Sequence, residues 1–162
     1  RFRNLLRAPG LCNPVFGLIR ASALRRTRLI GSYAASDRVL LAELALSGQF
    51  YEVPEFLFLR RGHPERSLAT NVTDSDIAAW FDPSTRGRIL LPRWRRLLEY
   101  LRAVKRAPLS RSERMRCYAQ IGRLTLLPAK WRNMGLELLK ALQQTSGLVP
   151  RQKKGPQGGQ RE

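Results

Sequence analysis

The sequence predicts a basic α/β domain followed by a helical extension, and three observations lead to this fold class. Within the first 67 residues, compact apolar runs typical of buried strands lie on either side of one strongly apolar helical segment. Further along the chain, apolar residues recur at helical spacing in three successive segments. The 162 residues are enough for one domain with a substantial core.

The first elements of the chain are short. Residues 1–11 contain an amphipathic run that indicates a turn of helix followed by a loop. The apolar run Val15–Ile19 predicts a buried strand. Residues Ala21–Thr27 are typical of a short helix, with Ser22 as its candidate N-cap.

A buried helix is predicted over residues 37–47. Ser36 or Asp37 can cap its N-terminus, and Gly48 is placed to follow its last turn. Its side chains are apolar nearly all round, so the helix should be covered on several sides. Glu43 is the exception, because a carboxylate in such a run needs a basic partner or a polar cavity. We expect Glu43 to pair with an arginine.

Two strands should follow this helix. The runs Phe50–Val53 and Phe56–Arg60 are strand-like and are separated by Pro54 and Glu55. Residues 62–74 form a polar loop, after which a short helix is predicted to end at Phe81, before Asp82 and Pro83.

Three longer helices are predicted after residue 91. Pro92 suits the first turn of the first helix, Ser110 and Glu113 form a capping box at the start of the second, and Pro128 opens the third. Their apolar stripes are Trp94, Leu97, Leu98, Leu101 and Val104, then Met115, Tyr118, Ile121 and Leu124, then Trp131, Met134, Leu138, Leu139 and Leu142. Residues 148–162 are rich in Gly, Gln and Lys and should be disordered.

The chain is strongly basic, with 30 basic and 12 acidic residues and a net charge of +18. Residues 1–67 carry 11 basic and 5 acidic side chains, and residues 68–162 carry 19 and 7. Such a surface attracts nucleotide phosphates, anionic lipid head groups, nucleic acid or acidic proteins. Nucleic acid is disfavoured because the chain has no zinc-ligand spacing, no aromatic RNA-binding motif and no basic region with heptads.

The two cysteines indicate the cellular compartment of the protein. Cys12 and Cys117 are far apart and neither belongs to a Cys-x-x-Cys pair, which fits a reducing compartment and two small buried side chains. We therefore expect a cytoplasmic protein. A peripheral position at the inner face of the membrane is compatible with this expectation. Because the chain begins at Arg1, we expect it to be a piece of a longer protein.

Residues 13–67 resemble the C-terminal half of a bacterial family 2 glycosyltransferase domain. The matching strings are FGLIR at 16–20, LRRT at 24–27, SDRVLLAELALSGQF at 36–50, VPEFLFLRR at 53–61 and HP at 63–64. The strings WFDP at 80–83, LPRW at 91–94 and APLS at 107–110 are similar to the helical extension of the same subgroup. The resemblance covers about residues 1–145.

The resemblance implies a GT-A fold, which is a mostly parallel, Rossmann-like sheet with helices on both faces. It also implies transfer of a sugar from a nucleotide-sugar donor to an acceptor hydroxyl, usually with a divalent metal such as Mg²⁺ or Mn²⁺. Residues 1–67 would form the acceptor-side half of that domain, and residues 68–147 a basic α-helical extension. The nucleotide-binding half is missing from this chain, so the chain alone should be a poor catalyst.

Asp37 is the candidate catalytic residue. Members of the family place an acidic residue at the N-terminus of this helix, where it takes the proton of the acceptor hydroxyl during inverting transfer. Asp is also a favoured helix cap and is stabilised by the helix dipole, so a purely structural role is the alternative. Many relatives have Glu-Asp where this chain has Ser36 and Asp37.

Three basic residues after the second predicted strand are the candidate phosphate and metal contacts. The resemblance places His63 near the metal or diphosphate, although a lone histidine is more often structural. Arg60 and Arg61 suit a diphosphate because a guanidinium makes paired, charged hydrogen bonds. Strand alternation would point only one of them at the cleft, and a solvated strand end is their alternative role.

Other candidate residues have simpler structural explanations. The string Asp74-Ser75-Asp76 matches Asp-x-Asp but follows the base-bearing helix, so a helix N-terminus explains it better than the metal motif. Trp94 and Trp131 lie on apolar stripes and should pack, whereas Trp80 should be more open.

A second function of another class fits the same sequence. The C-terminal helices combine apolar stripes with many arginines, which is typical of a non-catalytic module that docks on an anionic membrane surface or a protein partner.

Overall fold

The structure is a computed structural model that describes residues 2–7, 12–59, 74–85, 88 and 90–145. Its described part contains seven α-helices and two short 3₁₀ turns, Asn13–Phe16 and Pro83–Thr85. The helices are α1 (Phe2–Arg7), α2 (Ala21–Leu24), α3 (Ser36–Ser47), α4 (Asp74–Phe81), α5 (Pro92–Arg106), α6 (Arg111–Thr125) and α7 (Pro128–Thr145).

Helix α3 lies at the centre of the molecule because apolar side chains cover most of its circumference. On one side Val39 and Ala42 join a core with α1, α5 and α6. On another side Leu40, Leu41 and Leu44 pack against the segment that contains α2. The predicted burial of this helix is confirmed, and only its first turn and last residues reach the surface.

The helices of the C-terminal part complete the core. Helix α5 packs against α3 and α6, and α7 packs against both α5 and α6. The core joins residues from the two predicted halves of the chain: Phe2, Leu6, Val39, Ala42, Tyr100, Val104 and Ile121. Helix α6 begins with the predicted capping box, in which the Ser110 hydroxyl accepts from the N–H of Glu113 while the Glu113 carboxylate accepts from the N–H of Ser110.

The predicted α/β class, including the Rossmann-like GT-A sheet, is wrong for the described residues, which form helices and no strand. The run Val15–Ile19 was expected to be a strand, but its start belongs to a 3₁₀ turn. Val15 and Ile19 nevertheless pack against α3, as their apolar character requires. The pattern therefore identified burial correctly and backbone conformation incorrectly.

The two strands expected after α3 are also not formed among the described residues. Residues 49–59 follow Gly48 without regular structure, and most of their apolar side chains are exposed. Phe58 stacks on Phe16, with ring centroids 5.4 Å apart. A strand needs a hydrogen-bonded neighbour, and no ladder joins this segment to another described segment. Arg60, the last residue of the second expected strand, lies outside the described residues.

Helix ends differ from the prediction at α2 and at the end of α3. Helix α2 begins at Ala21 with Arg20 rather than Ser22 as its N-cap. Gly48 does follow α3, but with extended rather than left-handed backbone angles. Residues 148–162, predicted to be disordered, lie outside the described residues. No helix in the described part of the chain is long and apolar enough to cross a lipid bilayer.

Candidate functional site

Helix α3 presents Asp37 in its first turn. The N-cap position is occupied by Ala35, which has a φ of 64° and makes no side-chain cap hydrogen bond. Asp37 Oδ1 accepts a hydrogen bond from the backbone N–H of Arg38 at 2.8 Å, which satisfies one of the free donors of the first turn. The prediction that Ser36 or Asp37 is the N-cap is therefore wrong, although Asp37 still satisfies a backbone donor in the first turn.

The surroundings of Asp37 come from two other parts of the chain. Burial raises the pKa of the Cys12 thiol, and the charge and hydrogen bond of Asp37 raise it further, whereas Arg38 lowers it. Burial also raises the pKa of Tyr100 on α5, against the opposing influence of Arg96 and Arg38. Asp37 therefore contacts the Cys12 thiol, and its charge acts on Tyr100 together with the charges of Arg38 and Arg96.

Helix α7 adds a further basic group. Burial lowers the pKa of the Lys130 amine, and the neighbouring charges of Arg96 and Arg38 lower it further. Three basic side chains therefore lie close enough to affect one another near the start of α3. We call the group formed by Cys12, Asp37, Arg38, Arg96, Tyr100 and Lys130 the Asp37 cluster. A concentration of positive charge beside one carboxylate suits a ligand that carries phosphate groups and an ionisable hydroxyl.

Glu43, the other acidic residue of α3, has a structural role. Its carboxylate is buried, accepts a hydrogen bond from the backbone N–H of Arg28 at 2.8 Å and forms an ion pair with Arg106. The expectation that Glu43 pairs with an arginine is confirmed. Two more buried carboxylates follow the same rule: Glu99 pairs with Arg28 and Arg102, and Glu137 with Arg93.

The predicted phosphate and metal contacts Arg60, Arg61 and His63 lie outside the described residues. Within the described ranges, no group of three or more His, Cys, Asp or Glu side chains is arranged to hold a metal ion. The described residues therefore supply no such group for the divalent metal implied by the resemblance. The string Asp74-Ser75-Asp76 opens α4, in agreement with its expected place at a helix start.

The packing expected of Trp94 and the open position expected of Trp80 are confirmed, whereas Trp131, which was also expected to pack, is exposed. The indole N–H of Trp94 donates to the carbonyl of Met134 at 3.2 Å, which joins α5 to α7. Trp131 meets Trp94 edge to face, with centroids 6.3 Å apart, but keeps about half of its surface in solvent. Trp80 is more exposed and contacts Phe81.

Sequence reasoning identified Asp37 but missed the residues around it. Arg38 stands beside Asp37 in the string that carries the resemblance, so it was available as a candidate. Arg96 and Tyr100 are four residues apart on one helix, and this spacing predicts a shared face. Nothing in the sequence indicates that this face meets the start of α3, or that Lys130 approaches it from α7.

The chain gives no significant match to a protein-family model, a curated protein or a solved structure. Function therefore has to be inferred from the chemistry of the Asp37 cluster and from the resemblance carried by individual strings of the sequence.

Proposed function

We propose that this chain carries the acceptor side of a glycosyltransferase that moves a sugar from a nucleotide-sugar donor to a hydroxyl acceptor, with Asp37 as general base. The observation that carries the proposal is the half-buried Asp37 carboxylate beside the basic side chains of the Asp37 cluster. The helical fold of the described residues offers no sheet, so the proposal depends on this cluster and on the resemblance, not on the fold.

The cluster matches the two charge changes of inverting transfer. As the acceptor oxygen attacks the anomeric carbon, its proton passes to the Asp37 carboxylate. The bond between that carbon and the nucleotide diphosphate breaks, and its electron pair leaves with the diphosphate. Arg38, Arg96 and Lys130 would stabilise the negative charge that develops on this leaving group.

The competing structural explanation of Asp37 is incomplete. The carboxylate accepts from the N–H of Arg38, as a helix-stabilising aspartate does. A side chain with that role alone needs no basic cluster around it. Burial lowers the pKa of Lys130 first, and the charges of Arg96 and Arg38 lower it further, so a diphosphate bound beside these groups would add a favourable negative charge.

The test is sugar transfer by the product of the complete reading frame that encodes this chain. Transfer from a panel of labelled nucleotide sugars is measured for the natural protein and for Asp37→Asn. Loss of a general base lowers the rate by about 10²- to 10⁴-fold. Circular dichroism and a melting curve establish that the variant is folded, since the amide can still accept the hydrogen bond from Arg38.

The matched control is Glu113→Gln, which makes the same carboxylate-to-amide change on α6. Glutamine also satisfies a capping box, so this variant should fold and transfer normally. Near-normal transfer by folded Asp37→Asn would remove Asp37 from the mechanism. Absence of transfer from every nucleotide sugar by the natural protein would remove the proposed reaction.

A further inference from the structure

Three arginines converge on a hollow between α1 and α6. Arg3 and Arg7 are one helical turn apart on α1 and so share a face. Arg123 approaches them from the last turn of α6. We call this feature the arginine hollow; its lining residues are Arg3, Leu6, Arg7, Gln120, Arg123, Leu124 and Leu127.

These three arginines differ from the arginines that pair with buried carboxylates because they have no acidic partner among the described residues. The buried carboxylates take up Arg28, Arg93, Arg102 and Arg106 instead. No described acidic side chain lines the arginine hollow. Like charges gathered without a counter-charge repel each other, and a bound anion would relieve this repulsion. Phosphate is the anion whose geometry best matches several guanidinium forks.

The rim of the hollow is apolar on the side that faces α7. Leu127 lines the hollow and is 49% exposed, and its neighbour Leu126 is 69% exposed. Both lie at the junction of α6 and α7, immediately before Pro128. A small soluble phosphate would gain nothing from these side chains, whereas a lipid head group adjoins acyl chains that would cover them.

Helix α7 continues the same combination of apolar and basic surface. Trp131, Leu138 and Leu142 are exposed, and their spacing places them on one face of the helix. Glu137 is the acidic residue in the sequence of this helix, and it is buried beside Arg93. The other charged side chains that α7 exposes outside the Asp37 cluster are basic, namely Arg132 and Lys140. Tryptophan is enriched at membrane interfaces.

We propose that the arginine hollow binds the phosphate group of an anionic lipid, with Leu126, Leu127 and the exposed face of α7 resting on the membrane surface. The net charge of +18 supplies long-range attraction to such a surface, and the hollow supplies a specific contact. This inference does not depend on sugar transfer, because no residue of the Asp37 cluster lines the hollow.

The experiment is co-sedimentation of the full chain with phosphatidylcholine vesicles that contain about one third phosphatidylglycerol, at about 0.1 M salt. The test variant combines Arg3→Gln, Arg7→Gln and Arg123→Gln. We expect its apparent Kd to rise by about 100-fold, from the usual contribution of basic residues near an anionic membrane.

The control variant removes the same amount of charge elsewhere. It combines Arg25→Gln, Arg26→Gln and Arg111→Gln, three exposed residues that do not line the hollow. Its Kd should rise by less than about 5-fold. If both triple variants lose affinity equally, the attraction is spread over the whole surface and the proposed site is wrong. Circular dichroism confirms that both variants are folded.

Two further arms identify what the hollow recognises. Leu126→Gln together with Trp131→Gln should weaken vesicle binding by about 10-fold or more, because the apolar contact is lost while the charge is unchanged. Unchanged binding of this variant would contradict the membrane orientation. Soluble glycerol phosphate, measured by calorimetry, should bind far more weakly than vesicles. Equal affinity for glycerol phosphate, or stronger binding to a soluble polyanion such as heparin, would overturn the assignment to a lipid.

Discussion

Replacing Arg106 by methionine should destabilise the protein strongly, because it leaves the Glu43 carboxylate buried without its cation. In the natural protein this carboxylate is 8% exposed and has two partners. These are the Arg106 guanidinium and the backbone N–H of Arg28, at 2.8 Å from Oε2. Methionine retains most of the apolar length of arginine, so the change removes charge and hydrogen bonding rather than packing.

The expected cost follows from the burial of each partner. Breaking a fully buried ion pair by removing one member costs about 3–5 kcal/mol. The Arg106 side chain is 41% exposed, so water screens part of its interaction and can reach the vacated space. The hydrogen bond from Arg28 also remains. We therefore expect a loss of about 2–3 kcal/mol in the free energy of unfolding.

Removing the carboxylate instead of the guanidinium should lower the free energy of unfolding by less. Glu43→Gln keeps an acceptor for the N–H of Arg28 and leaves no buried charge, and the half-exposed Arg106 can turn toward solvent. We expect this variant to lose about 1 kcal/mol. The double variant Glu43→Gln with Arg106→Met should then be more stable than Arg106→Met alone, because the uncompensated carboxylate is gone.

Urea unfolding followed by circular dichroism measures these differences through the midpoint and the slope of each transition. Arg26→Met, at an exposed arginine, is the matched control and should change stability by less than about 0.5 kcal/mol. A similarly small effect of Arg106→Met, or a larger effect of Glu43→Gln, would refute the view that burial of the Glu43 charge decides the cost.

Three further predictions concern the capping box and the Asp37 cluster. Ser110→Ala should lower the free energy of unfolding by about 1 kcal/mol in a melting experiment. Hydrogen bonds from Ser110 lower the pKa of Glu113, so the unfolded chain binds the proton more readily. The capping box therefore stabilises the folded protein at pH values above the ordinary glutamate pKa. This stabilisation is lost as the pH falls through the pKa of Glu113 in the folded protein. Glu113→Gln should not show this loss in an acid titration. Burial and then Asp37 raise the pKa of Cys12, so Asp37→Asn should lower this pKa and speed alkylation of Cys12. Mass spectrometry measures the alkylation rate of Cys12 relative to that of Cys117, which is the internal control. An unchanged ratio of the two rates would contradict the contact between Asp37 and Cys12.

The sequence was sufficient to predict elements whose signals are local. Helix α3 was expected from its continuous apolar run, and the start of α6 from Ser110 and Glu113. The pairing of Glu43 with an arginine also followed, because a buried carboxylate has few stable alternatives. These predictions needed only the residues of one helix and general rules of burial.

The incorrect predictions concern conformations that other segments decide. The apolar run at Val15–Ile19 specified burial but not whether the backbone would be extended, and packing against α3 is satisfied by a 3₁₀ turn. The same limit applies to the candidate site. Asp37 could be selected from its string, whereas its neighbours Arg96 and Lys130 come from helices whose packing angles no local pattern specifies.

The apolar segment of residues 49–59 should make the chain associate with itself once its charge is screened. Phe56 is 102% exposed and Leu59 is 90% exposed, so both present apolar surface to other molecules. At low salt the net charge of +18 keeps copies apart, but the Debye length falls from about 10 Å at 0.1 M salt to about 3 Å at 1 M.

Light scattering across this range should therefore show association that increases with salt, and Phe56→Ser with Leu59→Ser should suppress it. Both side chains lie outside the core, so the double variant should unfold within about 0.5 kcal/mol of the natural chain. Leu138→Ser, at an exposed leucine of α7, is the control and should leave the association largely intact. Suppression by this control alone would assign the association to α7 instead. A large loss of stability in the double variant would mean that Phe56 and Leu59 pack against the body of the protein, contrary to their exposure.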